Sequence, residues 1–130
     1  MKFRLLLLFL FFRLASFGQE VVFCESVNDV DGTPVKPSSY FIISNNGGTL
    51  MLLLKLDKLI NSKSLKIDLY IIDEESKKEV FHNTLQAKPE PHYTWFKKDM
   101  IFYQAGEYTV YIYDETDRLL GVGKVRIVLS

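Results

Sequence analysis

Between Leu65 and Ile72 the chain alternates strictly. Leu65, Ile67, Leu69 and Ile71 fall on one side, and Lys66, Asp68 and Tyr70 on the other. A period of two with one polar face predicts a strand of an antiparallel sheet that covers a core on one side only. Similar apolar stretches recur along the chain, separated by turn residues every eight to fifteen positions, which suggests a sandwich or barrel and not a βαβ array. Eight strands are expected: Val21 to Val27, Tyr40 to Ser44, Thr49 to Leu56, Leu65 to Ile72, Glu79 to Gln86, Tyr93 to Tyr103, Tyr108 to Asp114 and Leu119 to Leu129. Thr49 to Leu56 is almost wholly apolar and reads as a central strand, entered through the tight turn Asn45-Asn46-Gly47-Gly48. Asn28 to Pro34 is a dense turn cluster, and Val35 to Ser39, with Pro37, is expected to be irregular. Asp57 to Ser64 is a polar connection expected to hold a helical turn around Lys58-Leu59-Ile60. A bend or bulge is expected at Lys97-Lys98-Asp99, and a bulge or close backbone approach at Gly121 and Gly123. Val125, Ile127 and Leu129 should face the core.

The N-terminus departs from this pattern. Lys2 and Arg4 precede the unbroken apolar run Leu5 to Phe12, and the small residues Ser16 and Gly18 stand two apart before Gln19. This reads as a secretory signal peptide over residues 1–18, leaving a domain over 19–130 that is periplasmic or secreted. Arg13 cuts the run well short of the roughly 20 apolar residues of a membrane span. Phe23 is too bulky to precede a lipid-modified Cys24. Of 16 basic and 16 acidic residues, three basic ones lie in the signal segment, so residues 19–130 carry a net charge of −3. A mildly acidic domain is a poor match for nucleic acid or for an anionic lipid surface. Cys24 is the only cysteine, so the domain has no internal disulfide, and its apolar surroundings predict a buried, inert thiol.

The stretch Ala105-Gly106-Glu107-Tyr108-Thr109-Val110-Tyr111-Ile112-Tyr113-Asp114 resembles the penultimate strand of immunoglobulin-like domains, in particular fibronectin type III and PKD-type modules of exported proteins. The resemblance implies an antiparallel β-sandwich of seven or eight strands, with Tyr108 as a tyrosine corner whose hydroxyl bonds back to nearby backbone. The paired cysteines of antibody domains are missing, and Trp95 comes later than their tryptophan does. No binding or catalytic residue is implied, because this fold hosts many unrelated functions.

Two sets of residues are candidates for chemistry. Tyr70, Tyr111 and Tyr113 take the outward parity of their strands and, with Trp95, form a candidate aromatic patch for a protein or glycan. The other reading of these residues is cross-strand pairing that stabilises the sheet. Asp29 and Asp31 in the first loop and Asp114, Glu115 and Asp117 in the last form a candidate Ca²⁺ site if both loops lie at one end of the sandwich. Turn formation alone also accounts for them. His82 and His92 have no companion at metal-ligand spacing, and no Gly-x-Ser-x-Gly elbow marks a hydrolase. The expectation is a non-catalytic module that binds a protein partner through a sheet edge or the aromatic patch. A carbohydrate- or calcium-binding module is the alternative, and a small hydrolase a remote one.

Overall fold

The computed structural model describes residues 19–130; the expected signal segment 1–18 lies outside the described residues. Ten strands follow in order: β1 (Gln19–Cys24), β2 (Ser26–Val27), β3 (Pro34–Val35), β4 (Tyr40–Ile43), β5 (Gly48–Lys55), β6 (Leu65–Ile72), β7 (Glu79–Ala87), β8 (Trp95–Phe102), β9 (Gly106–Tyr113) and β10 (Leu119–Leu129). The protein is all-β over the described residues. Eight strands form one ladder, β7-β6-β9-β10-β1-β5-β8, with β4 added alongside β10. The ladder folds into two layers, β7-β6-β9-β10-β4 and β1-β5-β8, joined through β1.

Alternation places the core between the layers. Leu65, Ile67 and Leu69 of β6 meet Val110 and Ile112 of β9, Val125 and Ile127 of β10, and Leu50, Leu52 and Leu54 of β5. Phe23 and Tyr108 each pack a ring against Phe102, at 6.5 and 4.9 Å between centroids. Burying these side chains contributes about 1.5–3 kcal/mol each.

Gly123 sets how the layers join. The start of β1 runs beside β10, Gln19 opposite Gly121 and Glu20 opposite Val122. From Val21 onward β1 pairs with β5 instead. At the crossover the Val21 backbone passes over Gly123, where a Cβ would lie 2.5 Å from the Val21 carbonyl oxygen. The expected close approach at Gly123 is therefore present, and a register shift between Leu119 and Gly121 supplies the expected bulge.

Several expectations are corrected. The sheet is mixed, because β1 and β4 both run parallel to β10, one beside its start and one beside its end. Pattern periodicity reports which face is buried and carries no strand direction. The first expected strand breaks at Glu25 into β1 and β2, and β2 pairs with β3. Residues 57–64 hold bends and no helical turn; Leu56 and Ile60 donate backbone hydrogen bonds to the carbonyls of Thr94 and Tyr93, which ties this connection to a neighbouring loop. β8 pairs with β5 in unbroken register through Lys97, Lys98 and Asp99. A second bulge lies in β7 instead, where the register against β6 shifts between Leu69 and Tyr70.

Tyr108 is buried, and its hydroxyl donates a 2.7 Å hydrogen bond to the Gln104 carbonyl, four residues back. This is the bond a tyrosine corner makes. Tyr108→Phe should destabilise the domain by about 1 kcal/mol, the net worth of one hydrogen bond. Denaturant unfolding would show it, with no change in the m-value.

Candidate functional site

The two outer faces of the sandwich differ. Outside β1-β5-β8 the chain covers itself. Leu53 and Cys24 point away from the main core, yet they are buried with Val27 and Trp95 in a second apolar cluster, with Met51 packed against it. The cover is the segment 25–38. Backbone hydrogen bonds from Glu25 to Val35, from Asn28 to Thr33 and from Ser38 to Phe23 fold it back on the sheet. Gly32, at φ +73°, lies flat on the indole, so a Cβ there would sit 2.6 Å from the Trp95 ring. Asp29 pairs with Lys97 and pins the tip of the cover to β8. The Cys24 thiol is fully buried and burial pushes its pKa up, both of which disfavour the reactive thiolate.

The outer face of β7-β6-β9-β10 carries an aromatic row. Tyr70 on β6 is met edge-on by Phe81 of β7 at 5.7 Å and by Tyr111 of β9 at 5.5 Å. Such cross-strand pairs fix ring orientation as well as adding stability. The Tyr111 hydroxyl donates to the Glu79 carboxylate at 2.7 and 2.9 Å. Burial against its neighbours, then that bond, pushes the phenol pKa up to about 12. The Lys66 ammonium sits 5.1 Å from the Tyr113 ring centre, and the Thr84 hydroxyl donates to Asp68 at 2.7 Å. Phe81 is 55% exposed, so an apolar ring projects from this face.

Three of the four residues of the expected aromatic patch come together, and one does not. Tyr70, Tyr111 and Tyr113 share one face, whereas Trp95 lies on the outer side of the opposite layer, buried beneath the cover. Phe81 takes its place in the row. Its outward position depends on the β7 bulge, which no residue in Glu79 to Gln86 announces.

The acidic loops do not converge. Among the described residues no group of three or more His, Cys, Asp or Glu is placed to hold a metal ion. The first loop belongs to the cover, and its Asp31 carboxylate accepts the Thr33 N–H at 3.0 Å. Hydrogen bonding from Thr33 holds that carboxyl below the usual range. In the last loop Asp114 accepts the N–H groups of Thr116 and Arg118, both at 2.9 Å. Burial pushes Asp114 up, but these bonds outweigh it and leave its pKa lowered. Glu115 accepts the Lys63 N–H at 3.0 Å, and Asp117 pairs with Lys66 at 3.4 Å. The loops serve as turns and ties between segments. His82 lies in the β7 bulge with its ring against Tyr108, while His92 sits in the 88–94 loop at φ +69°.

No family model and no curated protein matches the chain. Among solved structures it is similar to an immunoglobulin-like protein from Pseudomonas aeruginosa, at 15% identity over 86% of this chain and 99% of that one, with a TM-score of 0.49. It is also similar to a superoxide reductase (neelaredoxin) from Ignicoccus hospitalis, at 8% identity over 72% of this chain and 76% of that one, with a TM-score of 0.43.

Proposed function

We propose that the domain is an exported, non-catalytic binding module that holds a protein partner on the open outer face of β7-β6-β9-β10. The observation that carries this reading is the Phe81-Tyr70-Tyr111 row, left uncovered by a chain that closes over Cys24, Leu53 and Trp95 on its opposite face. Tyrosines locked by their neighbours offer contact area at low entropic cost, and an exposed Phe beside them supplies an apolar anchor. Export is supported by the charge, apolar run and small-residue spacing of residues 1–18. The Tyr108 corner and the two-layer topology support an immunoglobulin-like module; the fibronectin type III or PKD grouping rests on the motif around Tyr108. The carboxylates of the candidate Ca²⁺ site already serve the fold, which favours the protein reading over a calcium module. The face also contrasts with the β7 and β8 edges. β7 is interrupted by its bulge, and β8 carries Lys97 and Asp99, both of which discourage strand addition.

A photo-crosslinking side chain at Phe81, in the full chain expressed in its own cells, tests this. A discrete protein adduct should form, and Tyr70→Ala should reduce it by about tenfold, the effect of losing one central contact residue. The same group at Val30, exposed on the cover, should give none. Equal adducts from Val30, or none from Phe81, would contradict the proposal. Glycan-array binding abolished by Tyr111→Ala would move the assignment to a sugar.

A further inference from the structure

The two free ends of the ladder, β7 and β8, face one another across a cleft of about 570 Å³ that opens between the layers. Its floor is core: Leu69, Leu85, Met100 and Phe102. Its mouth is polar in a way that strand periodicity alone does not produce. Lys98 occupies an inward position of β8, opposite Leu52 and between the buried Phe96 and Met100. Among the described residues no carboxylate lies within ion-pair distance of it. Across the gap, Asn83 pairs with the inward Leu69 and Phe81 with the outward Tyr70, so His82 is the extra residue of the bulge. The His82 ring packs 5.7 Å from that of the core residue Tyr108. Two neighbouring polar side chains thereby border the cleft facing Lys98, and re-aiming side chains beside a site is a recurrent use of bulges. Asp99 lies at the rim on the other parity of β8.

We infer that this cleft binds a small amphipathic anion, its apolar body on Leu69, Leu85, Met100 and Phe102 and its carboxylate at Lys98, with His82 and Asn83 completing the mouth. The size is within the range of small-molecule sites, roughly 300–1,000 Å³, and an apolar floor with a few convergent polar groups is their usual make-up. An ammonium without a carboxylate partner among the described residues supplies the charge complement. The site is separate from the aromatic face, and either reading stands or falls without the other.

The test titrates the isolated protein with dodecanoate and, in parallel, with dodecanol, both below their aggregation concentrations, following backbone amide NMR signals. Dodecanoate should bind saturably and shift the amides of His82, Asn83, Met100 and Phe102. Dodecanol should bind about tenfold more weakly, as should dodecanoate to Lys98→Met, the effect of losing one charge-assisted hydrogen bond. The dodecanol arm needs no variant, so a misfolded Lys98→Met would not rescue or sink the idea. No saturable binding, equal affinity for the two ligands, or shifts confined to Tyr70 and Tyr111 would overturn it. Self-association of Lys98→Met with unchanged dodecanoate affinity would also overturn it, and would assign Lys98 to guarding the β8 edge.

Discussion

Trp95→Ala is expected to lower the unfolding free energy by about 4 kcal/mol, as truncation of a buried tryptophan generally does. The indole is 8% exposed and is the largest member of the second cluster, with Cys24, Val27 and Leu53 around it. Gly32 lies on one side of it and Tyr93 packs at 5.0 Å, so its removal leaves a hole that a backbone cover cannot refill. The loss should appear as a lower urea midpoint and as exposure of the Cys24 thiol. Crosslinking from Phe81 should persist in whatever fraction remains folded, because Trp95 serves the opposite face. A loss under 1 kcal/mol, within the range of ordinary surface substitutions, would mean that the cover does not seal this face.

Gly123→Ala is the second large effect, a destabilisation of about 3 kcal/mol, at the upper end of what overpacking costs. The added Cβ would lie 2.5 Å from the Val21 carbonyl oxygen and 2.6 Å from the Val21 Cβ. Backbone cannot step aside as a flexible side chain can. The cost therefore falls on the crossover of β1 from β10 to β5, the join between the layers. Urea unfolding measures it directly. A loss under about 1 kcal/mol would show that the crossing tolerates a Cβ at Gly123.

The sequence was legible where a residue's neighbours along the chain decide its environment. Strict alternation located β6 and its buried side, and the Gly-x-Tyr-x-Val stretch located β9 and the Tyr108 bond. The unbroken apolar run of β5 carried more information than it yielded. Leu52, Leu53 and Leu54 in succession are all buried, which requires both faces of that strand to be covered. That is the trace, in sequence, of the cover that removes Trp95 from the aromatic patch. What supplies the cover, residues 25–38, reads as a strand end, a turn cluster and an irregular stretch with Pro37, because its contacts are with residues far along the chain. The β7 bulge was unreadable for the same reason: it is a property of pairing with β6, and it moved Phe81 outward and His82 into the cleft. The acidic loops misled because Asp and Glu at turns look alike whether they bind a cation or their own backbone.

The most direct test of the account is a comparison of side-chain reactivity on the two outer faces of the native domain. Hydroxyl-radical footprinting should modify Phe81 readily and leave Trp95 protected, even though tryptophan is intrinsically the more reactive residue, and a thiol reagent should leave Cys24 unlabelled until the protein is unfolded. Trp95 oxidised as fast as Phe81, or prompt labelling of Cys24 in the folded state, would show that residues 25–38 do not close over that sheet.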